Sequence, residues 1–126
     1  MKFLHTMIRV IDVEKSLKFY TEILDMKLSH ILDIADAKLH FLRDSSGCCE
    51  IELTHNKEQP ETGYELGNQF GHLAFATDDM KAFGEKIKQH DINYYIKPFD
   101  VTPKGPTIAF VKDPDGFLIE LIERKE

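Results

Sequence analysis

Tryptophan is absent from the 126 residues, cysteine occurs only twice, and 16 lysines and arginines are outnumbered by 22 aspartates and glutamates. The cysteines, Cys48 and Cys49, are adjacent. Without a Cys-x-x-Cys spacing they support neither a zinc ribbon nor a disulfide framework, and they read as reduced thiols. A net charge of −6 and a pI near 5.5 argue against a nucleic-acid partner, which wants a basic face. No apolar run approaches the ~18 residues of a membrane helix, and Met1-Lys2-Phe3 leads straight into a strand pattern. Neither a transmembrane span nor a signal peptide is expected, and the cytosol is the default location. Low-complexity segments are missing too. What remains is a chain of single-domain length whose 42% hydrophobic content is ample for a core.

The stretch Gly116-Phe117-Leu118-Ile119-Glu120-Leu121-Ile122, entered through the turn Asp113-Pro114-Asp115-Gly116, reads as a strand. Side chains alternate faces along a strand, so Glu120 shares its face with Leu118 and Ile122. A carboxylate on an apolar face must find a cation, a donor or a proton, because burying it unpartnered is very costly. Alone, it is equally an edge-strand glutamate reaching water.

The same strand occurs earlier. Phe41-Leu42-Arg43-Asp44 through Gly47 to Ile51-Glu52-Leu53 matches Phe110-Val111-Lys112-Asp113 through Gly116 to Ile119-Glu120-Leu121, with one extra residue in the first copy. Upstream of each lies a strand bearing a histidine, Leu4–Val10 with His5 and Gly71–Ala76 with His72. His5 precedes Glu52 by 47 residues and His72 precedes Glu120 by 48.

Between these landmarks the chain is read in two modules, about 1–56 and 69–126, joined by a polar, Pro- and Gly-containing linker, 57–68. In the first, Asp12 is a plausible helix N-cap. Val13, Leu17, Tyr20 and Leu24, with Ser16, Phe19 and Ile23 beside them, form the apolar side of a three-turn helix. Strands follow at roughly Lys27–Ile34 and Ala37–Leu42. In the second, Asp78-Asp79 caps a helix with Met80, Phe83 and Ile87 on its apolar stripe, ending near His90. Tyr94–Lys97 and Thr107–Val111 read as strands around a Pro98–Pro106 loop. Each module is therefore β-α-β-β-β, and the class is α+β.

Two imidazoles and two carboxylates suit a divalent zinc, nickel, cobalt or iron ion with mixed N/O ligation. Four protein ligands on an octahedral ion leave positions for substrate. Each histidine alone is more simply a satisfied core histidine; the repeated His…Glu set favours metal. His30, His40, His55 and His90 have no matching carboxylate and are expected on the surface or in loops. Arg9, ~13 Å along its strand from His5, is either an anchor for a substrate carboxylate or a salt-bridge partner. Lys104, in the Pro/Gly loop, is either a second anionic clamp or a solvated loop charge, and the sequence favours the latter.

The segments Leu4–Val10, Ser16–Tyr20, Ile51-Glu52-Leu53-Thr54-His55-Asn56, Tyr64-Glu65-Leu66-Gly67, Phe70-Gly71-His72 and Asp113–Glu120 together resemble glyoxalase I, lactoylglutathione lyase, of the vicinal oxygen chelate superfamily. The resemblance covers essentially the whole chain. It implies two βαβββ repeats forming a curved mixed sheet, the glyoxalase/bleomycin-resistance/dioxygenase fold. It further implies a homodimer with sites at the interface, each holding one divalent metal, nickel or cobalt favoured and zinc possible. The ligands would be His5, Glu52, His72 and Glu120. The implied reaction converts the methylglyoxal–glutathione hemithioacetal to S-lactoylglutathione through a metal-bound enediolate. Glu120 would be the base, Glu52 its counterpart for the other face of the substrate, and Arg9 and Asn56 the holders of glutathione. Lys57-Glu58 stand where members often carry Trp-Gly, and the loop near Lys104 is Pro-rich. Both leave the thiol open.

Two rival readings stay in view. One is another enzyme of the superfamily, an epimerase, an extradiol dioxygenase or a lyase using a different low-molecular-weight thiol. A dioxygenase needs only two histidines and one carboxylate, which makes Glu52 surplus. The other is a metal-free binding protein of the same fold, against which the full ligand set argues.

Overall fold

The computed structural model describes residues 1–125. Eight strands and two helices follow in order: β1 His5–Arg9, α1 Val13–Lys18 running on into a π-helical turn Phe19–Ile23, β2 Lys27–Asp33, β3 Ala37–Arg43, β4 Glu50–Asn56, β5 His72–Ala76, α2 Met80–Gln89, β6 Ile96–Asp100, β7 Thr107–Lys112 and β8 Leu118–Glu123. They fall into two compact units, Met1–Glu65 and Leu66–Glu126. Each carries a four-stranded mixed sheet, ordered β1-β4-β3-β2 in one and β5-β8-β7-β6 in the other. The βαβββ plan thus occurs twice. In each unit the histidine strand lies parallel to the glutamate strand, and the remaining neighbours are antiparallel. A parallel pair needs a long crossover, and the helix belongs to it.

One face of each sheet is core. In the first unit Ile8, Val10, Leu42, Ile51 and Leu53 are buried, as are Ser16, Phe19, Tyr20 and Ile23 of the helical segment. In the second, Ala109, Val111, Ile119 and Leu121 are buried together with Met80, Phe83 and Ile87. Each fully buried aliphatic of this kind contributes about 1.5–3 kcal/mol, so the strands hold firmly by one face. By alternation the other face receives His5, Met7, Arg9, Glu52 and Thr54, or His72, Ala74, Ala76 and Glu120. The asymmetry of burial is what frees the opposite face for chemistry.

Both helices start on the expected aspartates. Asp12 Oδ1 accepts from the Lys15 N–H at 3.1 Å, and Asp79 Oδ1 from the Ala82 N–H at 2.9 Å. The first helix departs from a regular three-turn α-helix. The Thr21 hydroxyl donates to the Leu17 carbonyl at 2.7 Å, and the ladder widens so that the Leu24 N–H reaches Phe19 O. A hydroxyl that bonds four residues back competes with the main chain for its acceptor, a known cause of such local unwinding.

The expected strand Tyr94–Lys97 begins later, at Ile96, because Tyr94 turns inward beside Phe83 and against α2 at Gly84. Pro98, assigned to a loop from the sequence, lies inside β6. It has no N–H to donate, and the β6–β7 register shifts between Ile96 and Phe99. The polar stretch after β4 is tied to the first unit up to residue 65. The Lys57 N–H donates to Asp36 O, and Gln59 Nε2 donates to Val10 O and Ile11 O.

Candidate metal half-sites

On β1, Ile8 and Val10 are drawn into the core and His5 is left on the open face. In the parallel register His5 stands opposite Glu50 and Met7 opposite Glu52. The Glu52 side chain reaches back to His5, Oε1 lying 3.2 Å from Nε2. The second unit repeats this. His72 stands opposite Leu118 and Ala74 opposite Glu120, whose Oε2 lies 2.9 Å from His72 Nε2. Each imidazole also meets a phenylalanine that is the cross-strand neighbour of its glutamate. His5 and Phe41 are 5.4 Å apart at 86°, His72 and Phe110 5.5 Å apart at 76°, and the register pairs Phe41 with Glu52 and Phe110 with Glu120. The internal repeat therefore extends to side-chain geometry.

The two pairs differ in what else holds the carboxylate. Glu52 is 8% exposed, and its second oxygen accepts the hydroxyl of Thr54, itself 5% exposed. Ile122 takes the corresponding place beside Glu120, so the second carboxylate has His72 and apolar neighbours on its face. Glu50, one pleat from Glu52, is turned to Arg43, with Nε donating to Oε1 at 2.7 Å. Arg43 holds the Glu50 carboxyl below the usual carboxylate range.

Each unit offers one imidazole nitrogen and one carboxylate in mutual reach, a mixed N/O set of the type nickel, cobalt and zinc accept. Two donors fit a metal but do not complete its shell. Among the described residues no group of three or more His, Cys, Asp or Glu is placed to hold an ion. Each pair by itself is a two-donor set.

Arg9 is exposed on the open face of β1, aligned with Thr54. Asn56 closes β4, and its Oδ1 accepts from the Tyr64 hydroxyl at 3.2 Å. Lys104 lies exposed in the turn before β7, and Cys48 and Cys49 are exposed free thiols. His40 corrects the sequence expectation. It is 4% exposed on the core face of β3, its Nδ1 has no hydrogen-bond partner among the described residues, and burial pushes its pKa down. Sequence reasoning also passed over Phe41, Phe110, Thr54 and Tyr64 as site residues. Phe41 and Phe110 headed the repeated segment and Thr54 followed Glu52, but register was needed to bring them together.

The sequence matches the model of the Glyoxalase/Bleomycin resistance protein/Dioxygenase superfamily over residues 2–121. A probable lactoylglutathione lyase from Vibrio parahaemolyticus is 42% identical over 129 residues, covering 99% of this chain and 92% of that protein. The lactoylglutathione lyase of Escherichia coli O157:H7 is 41% identical, covering 100% and 95%. Among solved structures, glyoxalase I from Zea mays superposes with a TM-score of 0.85 at 34% identity. This chain covers 45% of that longer one. The trypanothione-dependent glyoxalase I of Leishmania major gives a TM-score of 0.82 at 35% identity, covering 98% of this chain and 86% of that one. No helix among the described residues is long and apolar enough to cross a membrane. The chain belongs to the Glyoxalase/Bleomycin resistance protein/Dioxygenase superfamily, in its lactoylglutathione lyase (glyoxalase I) family.

Proposed function

We propose that this protein is a cytoplasmic lactoylglutathione lyase that removes methylglyoxal by isomerising its glutathione hemithioacetal to S-lactoylglutathione. Its single domain is read as two βαβββ modules, and it acts as a homodimer. Each site combines His5 and Glu52 of one protomer with His72 and Glu120 of the other. The observation that carries this is the pair of matched, individually incomplete His–Glu half-sites in one chain. A twofold partner supplies the missing half of each without new sequence.

The divalent metal, with nickel or cobalt favoured over zinc, supplies Lewis-acid polarisation of the substrate oxygens when bound. The chain's own groups divide the rest. Glu120, beside which Ile122 stands where Thr54 stands beside Glu52, takes the proton from the carbon bearing sulfur and returns it to the neighbouring carbon. Glu52, tethered by Thr54, stays in place as the second carboxylate. Arg9 and Asn56, the latter oriented by Tyr64, hold the thiol moiety.

The test is product formation from methylglyoxal and glutathione by metal-stripped protein reloaded with nickel, cobalt, zinc or magnesium. Parallel reactions use trypanothione and other low-molecular-weight thiols. Isomerase activity restored by nickel or cobalt supports the reading. Catechol-dependent oxygen uptake with iron, and no isomerase with any thiol, removes it. Sedimentation equilibrium at micromolar protein checks the dimer; a fully active monomer refutes the shared site.

A further inference from the structure

On β2 the His30 ring lies flat on Phe41, centroids 4.3 Å apart and planes within 4°. Phe41 is in turn the residue met edge-to-face by His5, and it stands across the ladder from Glu52. Three rings from three strands thus form one stack ending on the first half-site. Among the described residues the second half-site has no such outer ring, because Ile96 is the residue paired with Phe110 where His30 is paired with Phe41. Since the exposed edge strand β2 carries no other ring on this face, His30 is the outer support of Phe41.

We infer that His30 is a positioning residue for the first half-site. By clamping Phe41 it fixes the plane of the His5 imidazole, and with it the Nε2 lone pair a metal would use. Flat stacking of this kind restricts a ring without contributing a ligand. Outer groups that orient metal-bound histidines commonly govern affinity. Ser29 Oγ lies 3.1 Å from His30 Nδ1 and restrains the outer ring itself. The inference rests on His5 being a metal ligand.

The experiment compares full-length wild type with His30→Ala, His30→Phe and His5→Ala. Cobalt affinity is measured by chelator competition, the cobalt visible spectrum is recorded, and circular dichroism follows the fold. His30→Ala is expected to weaken cobalt binding about three- to tenfold and shift the visible bands. His30→Phe, which keeps a flat ring, should restore both to within about twofold. His5→Ala should lose tight binding altogether. Wild-type affinity and spectrum in His30→Ala overturn the proposal while leaving the half-site intact. So does a His30→Phe variant as weak as His30→Ala, which would assign the effect to the imidazole nitrogens and not the stack. Should His30→Ala fail to fold, His30→Leu, which keeps bulk without a flat ring, takes its place: weakened binding supports the stack and wild-type binding refutes it. Unchanged affinity in His5→Ala removes the half-site reading itself, and this inference with it.

Discussion

Thr54→Val removes one hydroxyl from the first half-site and almost nothing else, since valine keeps the branched shape. In the native chain that hydroxyl donates to Glu52 Oε2, with both residues under a tenth exposed. A buried charged acceptor that loses a donor costs about 1–3 kcal/mol. Glu52 retains His5 on its other oxygen, so the lower half of that range applies, about 1–2 kcal/mol. For a chain of this size that is a fall in Tm of roughly 3–8 °C. Urea denaturation of metal-free protein gives the number directly. A double-mutant cycle with Glu52→Gln separates the contact from general repacking, because a neutral amide oxygen depends less on the donor. The cost of Thr54→Val should fall by at least half in the Glu52→Gln background. If the cost is the same in both backgrounds, or below about 0.3 kcal/mol in wild type, the Thr54–Glu52 bond does not tether the carboxylate. The assignment of mobile base to Glu120 would then lose its structural reason.

Glu120→Gln should keep the fold and most of the metal yet lower kcat by roughly two to four orders of magnitude. Glu52→Gln should be milder toward the hemithioacetal enantiomer served by Glu120; near-normal turnover in Glu120→Gln would move the base to Glu52. The Tyr94 hydroxyl is buried without a hydrogen-bond partner among the described residues, so Tyr94→Phe should leave stability equal or raise it by up to about 1 kcal/mol in thermal unfolding. Gly84→Ala places a Cβ 3.1 Å from that hydroxyl and should gain the ~1 kcal/mol of helix propensity only in the Tyr94→Phe background. For His40, burial lowers the folded-state pKa, so the unfolded chain binds the proton more readily near the ordinary value of ~6.5. Its contribution to stability is intact above that pH and is lost as pH falls through it. His40→Leu should flatten the pH dependence of the denaturation midpoint between about pH 7 and 5, and an unchanged slope would exclude His40 as the cause.

Much of this protein was written in residue order. The recurrence of an Asp-x-x-Gly turn before Ile-Glu-Leu, and of a histidine 47 or 48 residues before the glutamate, determined the duplicated βαβββ plan and the four candidate ligands. Period-two alternation placed each ligand on the face opposite the core, because burying Ile8, Leu53, Ile119 and Leu121 leaves no other choice. Tertiary structure decided the rest, since strand register is a property of pairs of strands. Only the parallel alignment showed that Glu52 reaches back two residues to His5, and only the β2–β3 ladder set His30 on Phe41. The burial of His40, the inward turn of Tyr94 against Gly84 and the Thr54 hydroxyl on Glu52 likewise depend on neighbours distant in the chain or on which face a strand presents. Composition and spacing nominate the reactive groups, but their partners are chosen by packing, where burial makes each unmet donor or charge costly.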